Sequence, residues 1–121
     1  MKIAVGGCRG FNDYKSFCDS MEKVISEIGE EESITILSGH CSGTDLMAER
    51  YAAEQHFCVE IFQADWKRYG RAAGPIRNKL MAASADLVVA FWNGRSRGTK
   101  SLIEFAKRLG KTVLIFEIEC T

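Results

Sequence analysis

Three short glycine motifs in this chain have a spacing that suits the binding of an anion. Residues 6–10, 39–43 and 94–98 each read Gly-x-x-x-Gly, and Thr44 and Thr99 directly follow the second and third motifs. Each motif comes at the end of an apolar run. Glycine allows a positive φ angle and lets a ligand approach the backbone without meeting a Cβ atom. A helix that begins just beyond such a turn adds free N–H groups and a partial positive charge, which favour phosphate.

Arginine residues beside these motifs strengthen the expectation of a phosphate site. Arg9, Arg77, Arg95 and Arg97 lie in or near the turns, and guanidinium groups pair with phosphate oxygens through two hydrogen bonds. We expect Arg95 to be a solvated surface charge. A single Gly-x-x-x-Gly motif is explained equally well as a tight strand-to-helix connection without a ligand. Three such motifs with arginines beside them favour a binding site.

Trp66 is the best candidate for stacking against the base of a nucleotide. It lies in the polar segment 64–75, which has little apolar core to fill, and a flat aromatic ring can stack on a base. Trp92 ends an apolar run, so core packing accounts for it equally well. The segment 64–75 is predicted to be a long irregular connection that closes over a ligand.

The elements that position these residues alternate between strand and helix along the chain. Apolar runs predict five strands, and apolar residues at helical spacing predict helices between them. Pro75 is expected to open one helix, because proline is tolerated in a first helical turn. The predicted strands are 3–5, 34–37, 58–62, 87–92 and 112–118, and the predicted helices cover 17–28, 45–55, 75–84 and 102–109.

This alternation predicts an α/β fold, a Rossmann-like three-layer sandwich with a parallel sheet. Two strand orders are common, 3-2-1-4-5 and 2-1-3-4-5. Segment 58–62 alternates apolar and polar residues, which is typical of an edge strand, and the second order would bury Glu60. We therefore predict a five-stranded sheet in the order 3-2-1-4-5. That order brings the three glycine turns together at the carboxyl ends of neighbouring strands.

Length and composition limit the classes of function. A chain of 121 residues, 46% of them hydrophobic, predicts one domain over residues 1–121. The 16 basic and 16 acidic residues cancel, so there is no net field to recruit nucleic acid. No apolar run approaches the ~20 residues of a membrane-spanning helix, and we expect no membrane partner. Five cysteines without a Cys-x-x-Cys pair indicate a reduced, cytoplasmic protein.

Two familiar phosphate motifs are absent. None of the three turns reads Gly-x-Gly-x-x-Gly, the fingerprint of dinucleotide-binding domains. A P-loop needs four residues between its glycines and then Lys-Ser/Thr, whereas Thr99 here precedes Lys100. The sequence therefore excludes an ordinary NAD dehydrogenase and a P-loop ATPase.

The segments "GGCRGFND", "SGHCSGTDLMAERYA", "ADWKRYGRAAGPIRNKLM" and "ADLVVAFWNGRSRGTKSLIEFAK" resemble the SLOG superfamily of Rossmann-like proteins. The similarity is greatest to its small YspA/YpsA-related branch, with a more distant similarity to DprA and to the LOG phosphoribohydrolases. The resemblance implies a pocket for a nucleotide or a nucleotide-derived molecule. The ligand contacts that it implies are Gly7, Arg9, Ser38, Gly39, Gly43, Thr44, Asp45, Arg77, Asn78, Gly98 and Thr99.

The chain departs from the LOG hydrolases at the position of their catalytic glutamate. LOG proteins carry that glutamate three residues after the threonine, where this chain has Leu102. Glu104 comes two residues later, about 200° further round a helix, and should face elsewhere. Asp45 or Glu49 could supply the carboxylate that an oxocarbenium-like transition state needs, although Asp45 also suits a helix N-terminus. The catalytic residues of such a hydrolase are unassigned.

Cys8, His40 and Cys41 lie in neighbouring turns and raise the alternative of a thiol–imidazole pair or part of a metal site. No fourth ligand follows at the usual spacing, and small buried cysteines are common. We expect neither a metal nor a cofactor.

Two hypotheses of function remain. We prefer a module, a sensor or a sequestering protein, that binds a nucleotide-derived small molecule without turnover. The alternative is an N-glycoside or phosphoribosyl hydrolase that acts on nucleotide monophosphates. A third, single-strand DNA binding as in DprA, is disfavoured by the neutral charge, because tracking phosphates needs a basic groove. Related folds often pair through helix faces, so a homodimer is also considered.

Overall fold

A computed structural model describes residues 1–29 and 33–120. It contains five strands with five α-helices between them, and one 3₁₀ turn at Gly70–Ala72. The strands are β1 Lys2–Gly7, β2 Thr35–Ser38, β3 Cys58–Ile61, β4 Leu87–Trp92 and β5 Thr112–Glu117. The helices are α1 Tyr14–Ile28, α2 Thr44–Glu54, α3 Trp66–Tyr69, α4 Ala73–Ser84 and α5 Arg97–Arg108.

The sheet is parallel, and its strand order is β3-β2-β1-β4-β5, which confirms the predicted topology. The central strand β1 pairs with β2 through Ala4 and Leu37 and with β4 through Ala4 and Val88. β3 is an edge strand, as its alternating pattern predicted. Its Glu60 lies 3.0 Å from the Lys2 ammonium in a half-exposed ion pair and is not buried between strands.

Two apolar clusters cover the two faces of the sheet. On one face Ile3 and Val5 of β1 pack with residues of α1 and α2, and the ring of Phe17 contacts the ring of Phe91 in a tilted arrangement with a centroid distance of 4.9 Å. On the other face Ala4 packs with residues of α4 and α5. Alternate strand residues point to opposite faces, so the continuously apolar strands β1 and β4 bury both of their faces. This is the three-layer arrangement expected of a doubly wound parallel sheet.

The segment 64–75 differs from the prediction of an irregular connection. It contains α3, the 3₁₀ turn and the first residues of α4, which begins at Ala73. The Asp65 side chain accepts a hydrogen bond from the Arg68 N–H at 3.2 Å, so a local cap stabilises this short helix. Pro75 is the third residue of α4 and lies in the first turn, where proline loses no helical hydrogen bond.

The first glycine motif is also placed differently from the prediction. Gly6 and Gly7 are the last two residues of β1 and pair with Ala90 and Phe91 of β4. They are extended strand residues, so the chain turns only after Gly7. Within the described residues, no helix has the length and hydropathy that would let it cross a membrane.

Candidate functional site

A cleft of about 340 Å³ opens at the carboxyl ends of β1 and β4, beside α2 and α4. Its walls come from the loops that follow β1, β2 and β4, from three helices and from the C-terminal segment. The lining residues are Gly6, Gly7, Cys8, Arg9, Gly10, Cys41, Asp45, Arg77, Asn78, Met81, Asn93, Ser96, Gly98, Thr99, Leu102 and Cys120. The three motif loops therefore converge on this cleft. It lies between β1 and β4, the neighbouring strands from which the strand order proceeds towards opposite edges of the sheet.

The predicted site residues divide into three groups. One group borders this cleft, a second group lies behind its wall, and Trp66 lies in a smaller cavity beside it. The predicted residues that line the cleft are Gly7, Arg9, Asp45, Arg77, Asn78, Gly98 and Thr99. The predicted residues outside its lining are Ser38, Gly39, Gly43, Thr44 and Trp66.

Ser38 and Thr44 are fully buried and tie the loops to the body of the protein. The Thr44 hydroxyl donates to the carbonyl oxygen of Cys8 at 3.0 Å, which joins the loop after β2 to the loop after β1. The Ser38 hydroxyl lies 2.8 Å from a carboxylate oxygen of Glu49. These two residues therefore shape the cleft from behind, because their hydroxyl groups already have partners in the protein.

Gly39 and Gly43 are required by the protein's own packing. A Cβ atom on Gly39 would lie 2.5 Å from Nη1 of Arg77, and one on Gly43 would lie 2.3 Å from the carbonyl oxygen of Arg9. Gly43 also has a φ of +76°, which favours glycine. Packing within the protein therefore accounts for both glycines without a ligand, and their contact with a ligand stays a prediction. The space is occupied by other parts of the chain.

Gly98 differs from these glycines. It is the second residue of α5, and a Cβ atom built on it meets no heavy atom within 4 Å. The Ser96 side chain caps the helix by accepting from the Thr99 N–H at 3.4 Å. The N–H groups of Arg97 and Gly98 have no hydrogen-bond partner within residues 1–29 and 33–120. The first turn of α5 thus presents free donors and a positive dipole end beside an open space.

The N-terminus of α1 does not present its first turn to an anion in the way that α5 does. Asp13 caps it, and its carboxylate accepts from the Ser16 N–H at 3.2 Å and from the Ser16 hydroxyl at 2.9 Å. These bonds hold the pKa of Asp13 below its ordinary value. An acidic side chain already occupies the position that an anion would take, so α1 offers no phosphate site.

Arg77 is buried, with 9% of its surface exposed, and most of its donors are committed. Its Nε donates to the Asn78 side chain at 2.8 Å, and its Nη1 donates to the carbonyls of Gly39 at 2.8 Å and Phe62 at 3.4 Å. Its Nη2 lies 3.8 Å from the Cys41 sulfur. Arg77 therefore has a structural role in fixing the loop after β2, and its positive charge still borders the cleft.

Arg9 is the exposed cation at the mouth of the cleft. Its Nη2 lies 3.7 Å from the Cys41 sulfur, and no carboxylate lies within 4.0 Å of it among the described residues. Arg95 is exposed, as expected, and lies outside the lining of the cleft. The free positive charge at this site therefore belongs to Arg9.

Asp45 is the carboxylic acid that lines the cleft, and it is only 7% exposed. Burial raises the pKa of Asp45 from 3.8 to about 6, opposed by a hydrogen bond from the Cys41 N–H and by the charge of Arg77. The Cys41 N–H donates to its Oδ2 at 3.2 Å. Near neutral pH such a carboxyl group can both hold and release a proton.

Leu102 occupies the position of the LOG glutamate, and Glu104 faces away from the cleft, as the sequence predicted. Leu102 lines the cleft and is only 2% exposed. Glu104 is exposed and lies 3.9 Å from the Lys100 ammonium, outside the lining of the cleft. Glu49 is directed to Ser38 and to the His40 ring, whose Nδ1 lies 2.9 Å from a Glu49 oxygen.

The thiol and imidazole groups do not converge. His40 pairs with Glu49, whereas Cys41 contacts the guanidinium groups of Arg9 and Arg77. Among the described residues, no group of three or more His, Cys, Asp or Glu side chains is arranged to hold a metal ion.

Asn93 and Cys120 line the cleft but were missed by sequence reasoning. The Asn93 carboxamide oxygen accepts from the N–H groups of Arg95 and Ser96 at 2.9 Å, which shapes the turn before α5. Its amide nitrogen donates to the Cys120 carbonyl at 3.4 Å. Asn93 could have been found as the first polar residue after an apolar strand. Cys120 carries no such signal.

A second cavity of about 230 Å³ adjoins the cleft and shares part of its wall. Trp66 is 52% exposed and forms one side of this cavity, and its ring lies 3.5 Å from the position of a Cβ atom on Gly74. The cavity is lined by Arg9, Trp66, Gly74, Pro75, Arg77, Asn78, Arg97, Gly98 and Ser101. The aromatic face predicted for stacking is therefore adjacent to the cleft.

The family of this chain follows from a match to a family model. The model of the YspA, cpYpsA-related SLOG family matches residues 1–69, which is more than half of the chain. The chain belongs to this family. The matched part contains β1, β2 and β3 with the first two glycine motifs, whereas Arg77, Gly98 and Thr99 lie beyond it.

Two known proteins are similar to this chain. The Gene 61 protein of Mycobacterium phage D29 is 29% identical, with 95% of each chain covered. The X-ray structure of DNA processing protein A (DprA) from Streptococcus pneumoniae matches with a TM-score of 0.76 and 22% identity over 98% of this chain. The chain spans 50% of that DprA chain. The DprA likeness shows a shared Rossmann-like α/β fold.

Proposed function

We propose that this protein binds a nucleotide or a nucleotide-derived small molecule in the cleft, as a sensor or a sequestering module. The observation that carries the proposal is the open first turn of α5. Gly98, whose N–H group has no partner among the described residues, lines the cleft together with Arg9, and the space beside Gly98 is unfilled. Backbone donors, a helix dipole and an unpaired cation together favour a phosphate group.

The surroundings of this phosphate position suit the remainder of a nucleotide. The cleft volume of about 340 Å³ lies within the range of small-molecule sites. The neighbouring ring of Trp66 is half exposed and offers a face on which a base can stack. Leu102 occupies the position of the LOG glutamate, which favours binding over hydrolysis.

Thermal unfolding against a panel of AMP, ADP, NAD and ADP-ribose tests the proposal, with adenosine as the ligand that lacks phosphate. A ligand at a hundred times its Kd adds about 2.7 kcal/mol to the free energy of unfolding. We expect at least one phosphorylated ligand to raise Tm and adenosine to leave it unchanged. Arg9→Gln should abolish the rise, whereas Arg95→Gln should retain it because Arg95 lies outside the cleft lining. A panel without any shift in Tm would refute the proposal.

Asp45 favours a second candidate, hydrolysis of an N-glycosidic bond in a nucleotide monophosphate. It is a buried carboxyl group at the cleft wall with its pKa raised to about 6, which suits general acid or base catalysis near neutral pH. Chromatography after incubation with AMP, NAD or ADP-ribose distinguishes the candidates. Release of free base that Asp45→Asn abolishes would establish the hydrolase. Binding without release would establish the module.

The proposal includes a cytoplasmic location and does not include a nucleic-acid partner. The five cysteines are all free thiols, which suits a reducing compartment. The net charge of zero does not provide the basic groove that nucleic acid needs. A homodimer stays a prediction, and sedimentation of the purified protein tests it.

A further inference from the structure

We propose that the ligand carries two linked phosphates, as in a nucleoside diphosphate or a pyrophosphate-bridged nucleotide. This inference rests on the proposed function and specifies the class of ligand. It follows from the second cavity, which shares a wall with the cleft and has a different charge. One phosphate occupies the cleft at the first turn of α5, and the other occupies the second cavity.

The lining of the second cavity is cationic. Three arginines, Arg9, Arg77 and Arg97, contribute to it, and none of its lining residues is acidic. The cleft, in contrast, contains the carboxyl group of Asp45 beside Arg9 and Arg77. The second cavity therefore has an excess of positive charge in a confined space, and an anion placed there would reduce the repulsion between the guanidinium groups.

Among the described residues, none of the three arginines of this cavity has a carboxylate oxygen within 4.0 Å, although Arg77 and Arg9 act on Asp45 at longer range. Arg97 makes no ion pair and no side-chain hydrogen bond within residues 1–29 and 33–120. The one polar contact of the Arg9 guanidinium there is with the Cys41 sulfur at 3.7 Å. Other exposed arginines, such as Arg68 and Arg95, also make no ion pair among the described residues, but they line neither the cleft nor the second cavity. Arg9 and Arg97 differ from them because both line the same confined space.

The two cavities share lining residues, and we infer from this that one ligand can occupy both. Arg9, Arg77, Asn78 and Gly98 line both of them. Gly98 lies on the boundary without a side chain, and nothing occupies the space beside its Cα atom. A diphosphate lying across Gly98 would place one phosphate on each side of it, whereas a monophosphate would leave one cationic subsite empty.

Trp66 indicates where the nucleoside lies. It forms a wall of the second cavity together with Gly74 and Pro75, whereas Asp45 lines the cleft and not this cavity. A base stacked on Trp66 therefore adjoins the phosphate of the cationic cavity. The second phosphate, or the group attached to it, then extends into the cleft.

Titration calorimetry of the full chain with AMP, ADP and inorganic pyrophosphate tests this inference. We expect ADP to bind at least tenfold more tightly than AMP, because the second phosphate gains charge-assisted hydrogen bonds. We expect inorganic pyrophosphate to compete with ADP. In Arg97→Gln the affinity for ADP should fall at least tenfold, towards that for AMP. Arg95→Gln is the matched control, since Arg95 is an exposed arginine just before α5 that lines neither cavity.

The outcomes separate this inference from the proposed function. Equal affinity for AMP and ADP in the wild-type protein would overturn the diphosphate assignment and leave nucleotide binding intact. An equal loss of ADP affinity in Arg97→Gln and Arg95→Gln would also overturn it, because the effect would then be one of general charge. If AMP and ADP do not bind, the same titration is made with NAD and ADP-ribose, and if none of the four binds, both the proposed function and this inference fail.

Discussion

Replacing Gly98 by alanine should make the free protein more stable and weaken its binding of nucleotides. Gly98 is in the first turn of α5 with a helical conformation, and an added Cβ atom meets nothing within 4 Å. Alanine restricts the unfolded chain more than glycine does, so a compatible substitution stabilises by roughly 0.4–1 kcal/mol. For a domain of this size that corresponds to a rise in Tm of about 2–4 °C.

The same methyl group would occupy the open space beside Gly98, where we place a phosphate of the ligand. Loss of one charge-assisted hydrogen bond costs about 1.5–3 kcal/mol, which weakens binding at least tenfold. At a ligand concentration of a hundred times the wild-type Kd, the wild-type protein gains about 2.7 kcal/mol, and a variant with a tenfold higher Kd gains about 1.4 kcal/mol. This difference exceeds the intrinsic gain from alanine, so the order of stability should reverse.

Thermal unfolding of both proteins, with and without ADP, measures this reversal. Gly98→Ala should have the higher Tm alone and the lower Tm with ADP. If the variant is more stable under both conditions by the same amount, no ligand approaches the first turn of α5. If it is less stable without ligand, the space beside Gly98 is not open. Either result would refute the reasoning.

Three further substitutions test the site. Gly39→Ala should destabilise by about 1–3 kcal/mol in urea unfolding, because its Cβ atom would displace the buried Arg77 guanidinium; an unchanged midpoint would contradict that role. The raised pKa of Asp45 means that its contribution to stability is present below pH 4 and is lost as pH rises to about 6. Asp45→Asn should therefore remove this pH dependence and raise the free energy of unfolding at pH 7 by on the order of 3 kcal/mol at most. The same dependence of the free energy of unfolding on pH in both proteins would contradict this. Trp66→Ala should lower ADP affinity roughly tenfold in calorimetry through lost stacking, whereas Tyr69→Ala, a control in the same short helix, should not; equal losses would contradict the stacking role.

The fold was predictable because its determinants are local. The continuously apolar residues 87–92 indicate a central strand, and the alternation in 58–62 indicates an edge strand. With right-handed crossovers, these two observations favour one strand order, which the structure confirms. The prediction of an irregular segment at 64–75 was wrong because it did not account for a helix cap. The Asp65 side chain supports a short helix that a polar sequence with two glycines and a proline did not indicate.

The roles of the glycines could not be predicted, because each depends on what lies opposite in space. Gly39 is the first glycine of the second motif, and Gly98 is the last glycine of the third motif. Arg77, which follows Gly39 by 38 residues and lies on α4, fills the space beside Gly39, and its Nη1 donates to the Gly39 carbonyl oxygen at 2.8 Å. The space beside Gly98 is open. Sequence spacing is the same for all three motifs and does not distinguish these cases.

By itself, the sequence determined which residue types stand at the carboxyl ends of β1, β2 and β4, because hydrophobic periodicity defines the strands and the loops follow them. Only the tertiary structure decided which of those residues face the cleft. It buried Ser38 and Thr44 as internal ties and committed most donors of Arg77 to groups of the protein. Among the described residues, it left Arg9 and Arg97 without an ion pair and the N–H groups of Arg97 and Gly98 without a hydrogen-bond partner. The physical reason is that each donor bonds whichever acceptor packing brings within reach, and packing joins residues that are distant in the chain.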